Sequence, residues 1–457
     1  MPKRIRGVNS KHGRALREPR PASVRGVPPP ANAVTIRPRG PLGSRFEVPG
    51  SKSLTNRALV AAALAAGDSR IHGALDADDT RVMRNALRSL GVAIEDADPG
   101  KWTVAGRAGR LTAPPEALDV RDSGTTARFL AAAACLADGP VVIDGSPRMR
   151  ERPIGALADA LRALGADLEV MGEAECPPLT LRGGGLLGGH IEMDARRSSQ
   201  YVSAVLLAAP YAERDVILHF APGSIASRPY VDLTLSVMKT FGADASWLPD
   251  PPDEIRVRAG SAYAGCDFAV EGDASSAVYG FCAAAIAGGS VLVPGLARDS
   301  LQPDIAVLEV LETMGCTVQG DAGGLRVTGP GDGKLKSPGA IDLDRLPDAA
   351  LALAVTAAFC DGPTRLRGLG TLRIKESDRL AGLETELRRL GAGAEAGPDW
   401  LQVQPAALHA ASIETYDDHR IAMSFALAGL RIPGIEIRDP GCTAKTWPGF
   451  FEALEAL

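Results

Sequence analysis

Six short polar stretches each stand directly ahead of an Ala-rich run, and they hold much of the chemistry-bearing side-chain inventory. The first is Pro49-Gly50-Ser51-Lys52-Ser53-Leu54-Thr55-Asn56-Arg57, followed by the run Ala58 to Ala66. Pro and Gly end the preceding segment. Ser51, Ser53 and Thr55 are N-cap candidates, and the Ala/Leu run favours helix. Lys52 and Arg57 therefore stand in the first turns of a helix whose free N–H groups and positive dipole end already favour an anion. The natural guest is a phosphate or carboxylate. The other leaders are Asp122-Ser123-Gly124-Thr125-Thr126-Ala127-Arg128, Arg196-Arg197-Ser198-Ser199-Gln200-Tyr201, Glu271-Gly272-Asp273-Ala274-Ser275-Ser276, Leu346-Pro347-Asp348 and Tyr416-Asp417-Asp418-His419-Arg420. Arg57, Arg128 and Arg420 put a cation where the helix dipole opposes it, so anion binding accounts for them better than capping does.

A second set of leaders alternates with the first. It includes Asp76-Ala77-Asp78-Asp79-Thr80-Arg81, the basic cluster Arg148-Met149-Arg150-Glu151-Arg152 before Pro153, Ser227-Arg228-Pro229-Tyr230, Gln302-Pro303-Asp304, Lys375-Glu376-Ser377-Asp378-Arg379 and Cys442-Thr443-Ala444-Lys445-Thr446. If all these starts face one cleft, cations predominate there and a few carboxylates remain. That suits one or two substrates bearing several negative groups, with carboxylates left for proton transfer.

The elements that must position these residues repeat along the chain. The phrases Leu90-Gly91-Val92, Leu164-Gly165-Ala166, Phe241-Gly242-Ala243, Met314-Gly315-Cys316 and Leu390-Gly391-Ala392 place glycines 74, 77, 73 and 76 residues apart. Gly after the last apolar helical residue is the expected left-handed stop. Polar turns centred on Gly67, Gly139, Glu213, Gly288, Gly362 and Gly434 recur in phase. Six units of helix, strand, helix and strand follow, each large enough to be a βαβ-type subdomain, in an α/β protein. Six units divide into two domains of three. The last unit lacks a closing strand, so the N-terminal strand is expected to complete the C-terminal domain. The expected domains are residues 49–270 and residues 34–48 plus 271–457, with the chain crossing twice between them.

Composition narrows the function classes. The chain has 457 residues, 45% of them hydrophobic and 23% charged, with a net charge of −5. The first 33 residues hold eight of the 50 Lys and Arg but one of the 55 acids, and end near a Pro-rich stretch. A disordered basic tail is expected there. The remaining body is then more acidic than the whole, which argues against nucleic-acid binding. No apolar run reaches membrane-spanning length. The seven cysteines form no CxxC pair, so no disulfide framework or metal site is expected, and a cytoplasmic location is.

The phrases PGSKSLTNRAL (49–59), DSGTTAR (122–128), PRMRERPIG (147–155), SSQY (198–201), SRPYVDLT (227–234), EGDASSA (271–277), LPDAA (346–350), KESDRL (375–380), YDDHRIAM (416–423) and CTAKTWPGF (442–450) give a resemblance to the 5-enolpyruvylshikimate-3-phosphate synthases. The resemblance spans all but the N-terminal tail. It implies the inside-out α/β barrel of that family: two domains, each of three βαβαββ units. It also implies transfer of the enolpyruvyl group of phosphoenolpyruvate to 3-phosphoshikimate, without a cofactor or metal; a monomer is expected, although the sequence carries no signal of oligomeric state. By the same resemblance Lys52, Ser53, Arg57, Ser198, Ser199, Gln200, Ser227, Tyr230, Asp348, Thr371 and Lys375 bind 3-phosphoshikimate. Lys52, Gly124, Arg152, Gln200, Arg379, Arg420 and Lys445 bind phosphoenolpyruvate. Asp348 takes the proton from the 5-hydroxyl, Glu376 protonates the methylene carbon, and Lys52, which touches both substrates, is a third catalytic residue. Residues 49–270 would carry mainly 3-phosphoshikimate contacts, and the other domain the phosphoenolpyruvate side and the catalytic carboxylates. Two positions depart from the family pattern: Thr371 and Asp122 stand where Asn is common. Gly124 is retained, which in the family accompanies inhibition by glyphosate.

Overall fold

Helix α1 (Lys52–Leu64) is buried on every side from Ala58 to Leu64. Its small side chains let it pack against two equally apolar neighbours, α3 (Gly124–Ala133) and α5 (Ser199–Ala208). A helix that is apolar all round must be central. Three outer helices complete this half: α2 (Asp78–Ser89), α4 (Gly155–Ala163) and α6 (Pro229–Thr240). The other half repeats the plan. The central helices α7 (Ala274–Ala287), α9 (Ala350–Ala357) and α11 (His419–Gly429) pack on one another, with α8 (Val307–Thr313), α10 (Arg379–Leu390) and α12 (Phe450–Glu455) outside. The computed structural model describes residues 32–457. The basic tail expected over residues 1–33 lies outside them except for its last two residues, and Ala33 opens the first strand.

Six small sheets surround the helices. Each is built on a central strand: Asp68–His72, Val141–Asp144, Val216–His219, Ser290–Val293, Thr364–Arg367 or Ile435–Arg438. Every central strand has an antiparallel neighbour on one side and a parallel one on the other. For Ser290–Val293 the parallel neighbour is reduced to bridges from Leu42 to Gly289 and Arg45 to Leu292. The strand Ala33–Ile36 pairs with Ile435–Arg438, so sequence-distant ends meet in one sheet. Conversely, Asp267–Ala269 pairs with Asp68–His72.

The chain therefore passes twice between halves, and the two passages lie side by side. Gly50 bridges Gly272, the Ser51 N–H donates to the Glu271 carbonyl at 2.9 Å, and the Asp273 N–H donates to the Pro49 carbonyl at 2.8 Å. A Cβ on Gly50 would fall 1.8 Å from the Gly73 carbonyl oxygen, so only Gly fits at this crossing. Buried apolar side chains form two clusters, one over 54–270 and one joining Ile36, Leu42 and Phe46 to 274–457. The five phrase glycines, Gly91, Gly165, Gly242, Gly315 and Gly391, all have positive φ at helix ends. Among the described residues no helix is long and apolar enough to cross a membrane.

Candidate active site

Helix starts build the site. Ser51, Ser123, Ser198, Asp273 and Asp418 cap α1, α3, α5, α7 and α11 by accepting a backbone N–H of the first turn. Capping fixes the residues that follow. Lys52, Ser53, Arg57, Ser198, Ser199, Gln200, Ser227, Tyr230, Asp348, Thr371 and Lys375 line one pocket of about 60 Å³, with Thr125, Arg197, Ala226 and Pro347. This pocket gathers all eleven residues expected to contact 3-phosphoshikimate, including Thr371. It lies between the halves, and direct contacts hold the halves together around it. Arg148 donates to the Lys375 and Glu376 carbonyls at 2.9 and 3.1 Å. The Ser227 hydroxyl donates to the Asp344 carbonyl at 2.9 Å, and Lys445 donates to the Asp122 carbonyl at 3.1 Å.

Carboxylates and cations alternate behind the pocket. Asp348 meets Arg420 at 2.8 Å and Arg379 at 3.3 Å. Glu376 meets Arg379 at 2.8 Å and Lys445 at 3.4 Å. Asp418, fully buried, grips Arg379 through Nε at 2.8 Å and Nη2 at 3.2 Å. Burial alone would raise the Asp348 carboxyl, but Arg420, Lys375, Arg379 and Lys52 outweigh it and hold the group well below the usual carboxylate range. Glu376 is likewise pushed up by burial and pulled further down by Arg379, Lys445 and Arg152. Lys52 pairs with Asp79 at 3.0 Å. Burial lowers its ammonium, but Asp79, Glu376 and Asp348 override that and keep it firmly charged. Lys375 goes the other way. Burial first, then Arg379 and Arg152, bring it down to about 8 against Asp348 and Glu376.

A second group of cations is arranged differently. Arg57, Arg128 and Arg152 are buried, and among the described residues none has a carboxylate within ion-pair distance. Arg57 is held by neutral oxygens: Thr234 at 2.7 Å, the Ser53 carbonyl at 3.0 Å, Ser203 at 3.1 Å and the Tyr230 carbonyl at 3.2 Å. Arg128 makes one hydrogen bond, to the Pro153 carbonyl at 3.2 Å, and its Nε and Nη1 have no partner. Arg152 donates to the Asp122 carbonyl at 3.1 Å, with its Nε unpartnered. Burial brings Arg57 and Arg128 down to about 10, and Arg152 contributes to the shift of Arg128. Both Arg128 and Arg152 converge on Gly124. A Cβ there would lie 2.4 Å from Arg128 Nη1 and 2.6 Å from Arg152 Nη2. Two adjacent buried guanidinium groups with free donors form a site for an anion.

A wider cavity of about 630 Å³ adjoins this arrangement and is lined in part by Asp79, Asp122, Ser123, Arg148, Glu376 and Lys445. Arg379 and Arg420 are buried and do not line it. Asp122 does not pair with an arginine through its carboxylate; it accepts from the Ser146 hydroxyl. Sequence reasoning passed over Asp79, Asp304, Asp418 and His419 as site residues, although each belongs to a helix leader it had singled out, whereas the dipole argument had marked Arg128 as an anion binder. His419 is fully buried with both ring nitrogens unpartnered, and burial holds it neutral. Asp304 accepts from Ser275 and from Tyr230 at 3.3 Å, and burial, with Asp348 nearby, raises it to about 6.

Comparison with known proteins shows the family. The family model for EPSP synthase (3-phosphoshikimate 1-carboxyvinyltransferase) matches residues 36–454. The 3-phosphoshikimate 1-carboxyvinyltransferase of Methanoculleus marisnigri is 46% identical over 422 residues, covering 92% of this chain and 98% of that protein. The enzyme of the same name from Salmonella arizonae is 44% identical over 431 residues, covering 93% and 99%. The solved EPSP synthase of Acinetobacter baumannii is similar with a TM-score of 0.77 at 29% identity, covering 93% of this chain and 98% of that one. The chain belongs to the EPSP synthase (3-phosphoshikimate 1-carboxyvinyltransferase) family.

Proposed function

We infer that the chain is a transferase that moves the enolpyruvyl group of phosphoenolpyruvate to the 5-hydroxyl of 3-phosphoshikimate and releases phosphate, in chorismate and aromatic amino-acid biosynthesis. The observation that carries this reading is the pair Arg128 and Arg152, buried without an ion-paired carboxylate, together with Asp348 and Glu376, each paired with two cations. Lys52, Ser53, Arg57, Ser198, Ser199, Gln200, Ser227, Tyr230, Thr371 and Lys375 hold 3-phosphoshikimate. Gly124, Arg152, Gln200, Arg379, Arg420 and Lys445 hold phosphoenolpyruvate, with Arg128 beside them, and Lys52 serves both substrates.

Substitution at a vinylic carbon with retention of the double bond calls for addition and then elimination. A proton delivered to the methylene carbon makes C2 electrophilic. The 5-oxygen attacks C2 as its own proton leaves, and loss of phosphate from C2 with a proton from the new methyl restores the alkene. Asp348 receives the hydroxyl proton and Glu376 supplies the methylene proton. In the free chain both carboxyls are held ionised by their cations. The phosphate and carboxylate of phosphoenolpyruvate offset those same cations. Both carboxyl groups then become more basic, which Asp348 needs as a base and Glu376 needs to carry a proton. The test is phosphate release from phosphoenolpyruvate: it should require 3-phosphoshikimate, and no release with both substrates present would refute the assignment.

The two domains are residues 34–48 plus 271–457 and residues 49–270, and they close on the substrates about the paired crossings at Gly50 and Gly272. One chain supplies every group of the site, which supports a monomer. The seven free thiols support a cytoplasmic setting. Glyphosate, an anion bearing phosphonate and carboxylate, inhibits by occupying the phosphoenolpyruvate subsite. Gly124→Ala should displace the Arg128–Arg152 pair, weaken phosphoenolpyruvate and weaken glyphosate further. Inhibition constants equal to wild type would contradict that.

A further inference from the structure

Away from the cleft, three adjacent strands of the third sheet bring two imidazoles and a carboxylate onto one face. His219 and Glu254 are direct cross-strand partners. His190 sits opposite Ile217, two residues before His219, and so projects to the same side. The Glu254 carboxylate is largely buried, while His190 and His219 are open to solvent. His190 Nε2 lies 3.2 Å and His219 Nδ1 3.3 Å from the same oxygen, Glu254 Oε1. All three ligand atoms fall within 4.8 Å of one another. The register adds Glu192, beside His219, as a second carboxylate, and Arg256, opposite Ile217, as a cation.

We propose that His190, His219 and Glu254 form a binding site for a divalent transition-metal ion of the zinc type, separate from the transferase site. Metal–ligand bonds of about 2.0–2.2 Å at tetrahedral angles separate the donor atoms by about 3.4 Å, which the two measured spacings nearly match before any rearrangement. Two imidazoles with one carboxylate suit zinc, nickel, cobalt or copper and not magnesium or calcium. The exposed imidazoles leave the remaining coordination positions to water. Cysteine spacing could not reveal this site, since its ligands are separated by whole strands and helices.

The ion would join three strands of one sheet. Zn2+ and Co2+ titrations of the untagged full chain at neutral pH test this, by calorimetry and by cobalt absorption. One equivalent should bind, with a raised unfolding temperature. His190→Ala, at an exposed position, and His219→Ala, at a half-buried one, should each weaken binding at least roughly tenfold and reduce the thermal shift, and Glu254→Gln should do the same. His72→Ala should change nothing, and phosphate release should be the same in His219→Ala as in wild type. Absence of stoichiometric binding would overturn the proposal. So would binding that survives all three ligand substitutions, which would point to the thiols instead.

Discussion

The two halves share an architecture but treat the buried arginines of the cleft in opposite ways. In the half over residues 54–270, Arg57, Arg128 and Arg152 are surrounded by hydroxyls and carbonyls. In the other half, Arg379 and Arg420 are tied to Asp348, Glu376 and Asp418. A buried cation without a carboxylate costs stability until an anion arrives, so it stores affinity. A buried cation tied to carboxylates instead sets their protonation, and so tunes proton transfer. On the proposed roles, the arginines without carboxylates serve binding alone, while Arg379 and Arg420 both hold phosphoenolpyruvate and tune the carboxylates that move protons. Lys52, next to the crossing, belongs to both sides: it is paired with Asp79 yet lies in the fields of Asp348 and Glu376.

The largest effect should come from one substitution made in each half. Arg379→Met leaves three carboxylates facing a lost cation and should destabilise the fold by about 3–5 kcal/mol. Arg128→Met removes an uncompensated charge, and Tyr201 still donates to the Pro153 carbonyl at 2.7 Å. Its stability should be unchanged or about 1 kcal/mol higher. Denaturant unfolding of both variants reads the contrast, and equal losses would erase it. A smaller effect should appear with pH. Lys375, lowered to about 8 by burial, is charged below that pH and neutral above it. The KM for 3-phosphoshikimate should therefore rise between pH 7 and 9, and Lys375→Arg should flatten the rise. A wild-type KM constant across that range would remove Lys375 from the binding side.

Local rules made the frame legible. The leaders and the phrase glycines obey capping and left-handed stop chemistry, which depends on a few neighbouring residues. Ser51 caps α1, and Gly391 ends α10 at φ 104°. The dipole argument had already marked Arg128, and its unpartnered nitrogens show why it stood out. What stayed hidden depends on pairing across long separations. Arg148, Arg150 and Arg152 look like one cluster in sequence, but their side chains diverge around a short 3-10 turn. Arg148 reaches the other half, Arg150 turns out to Asp144 at 2.6 Å, and Arg152 enters the site. The partnership of Arg379 with Asp418, between the starts of two different helices, had no local signal either.

Steady-state kinetics on Arg128→Met and Glu376→Gln test the division of labour most directly. Arg128→Met should raise the KM for phosphoenolpyruvate by about tenfold or more with kcat changed far less, as expected when binding common to ground and transition states is lost. Glu376→Gln should lower kcat by about a hundredfold or more with KM little changed. The reverse split, with kcat collapsing in Arg128→Met and only KM moving in Glu376→Gln, would contradict the assignment of Arg128 to binding and Glu376 to proton transfer.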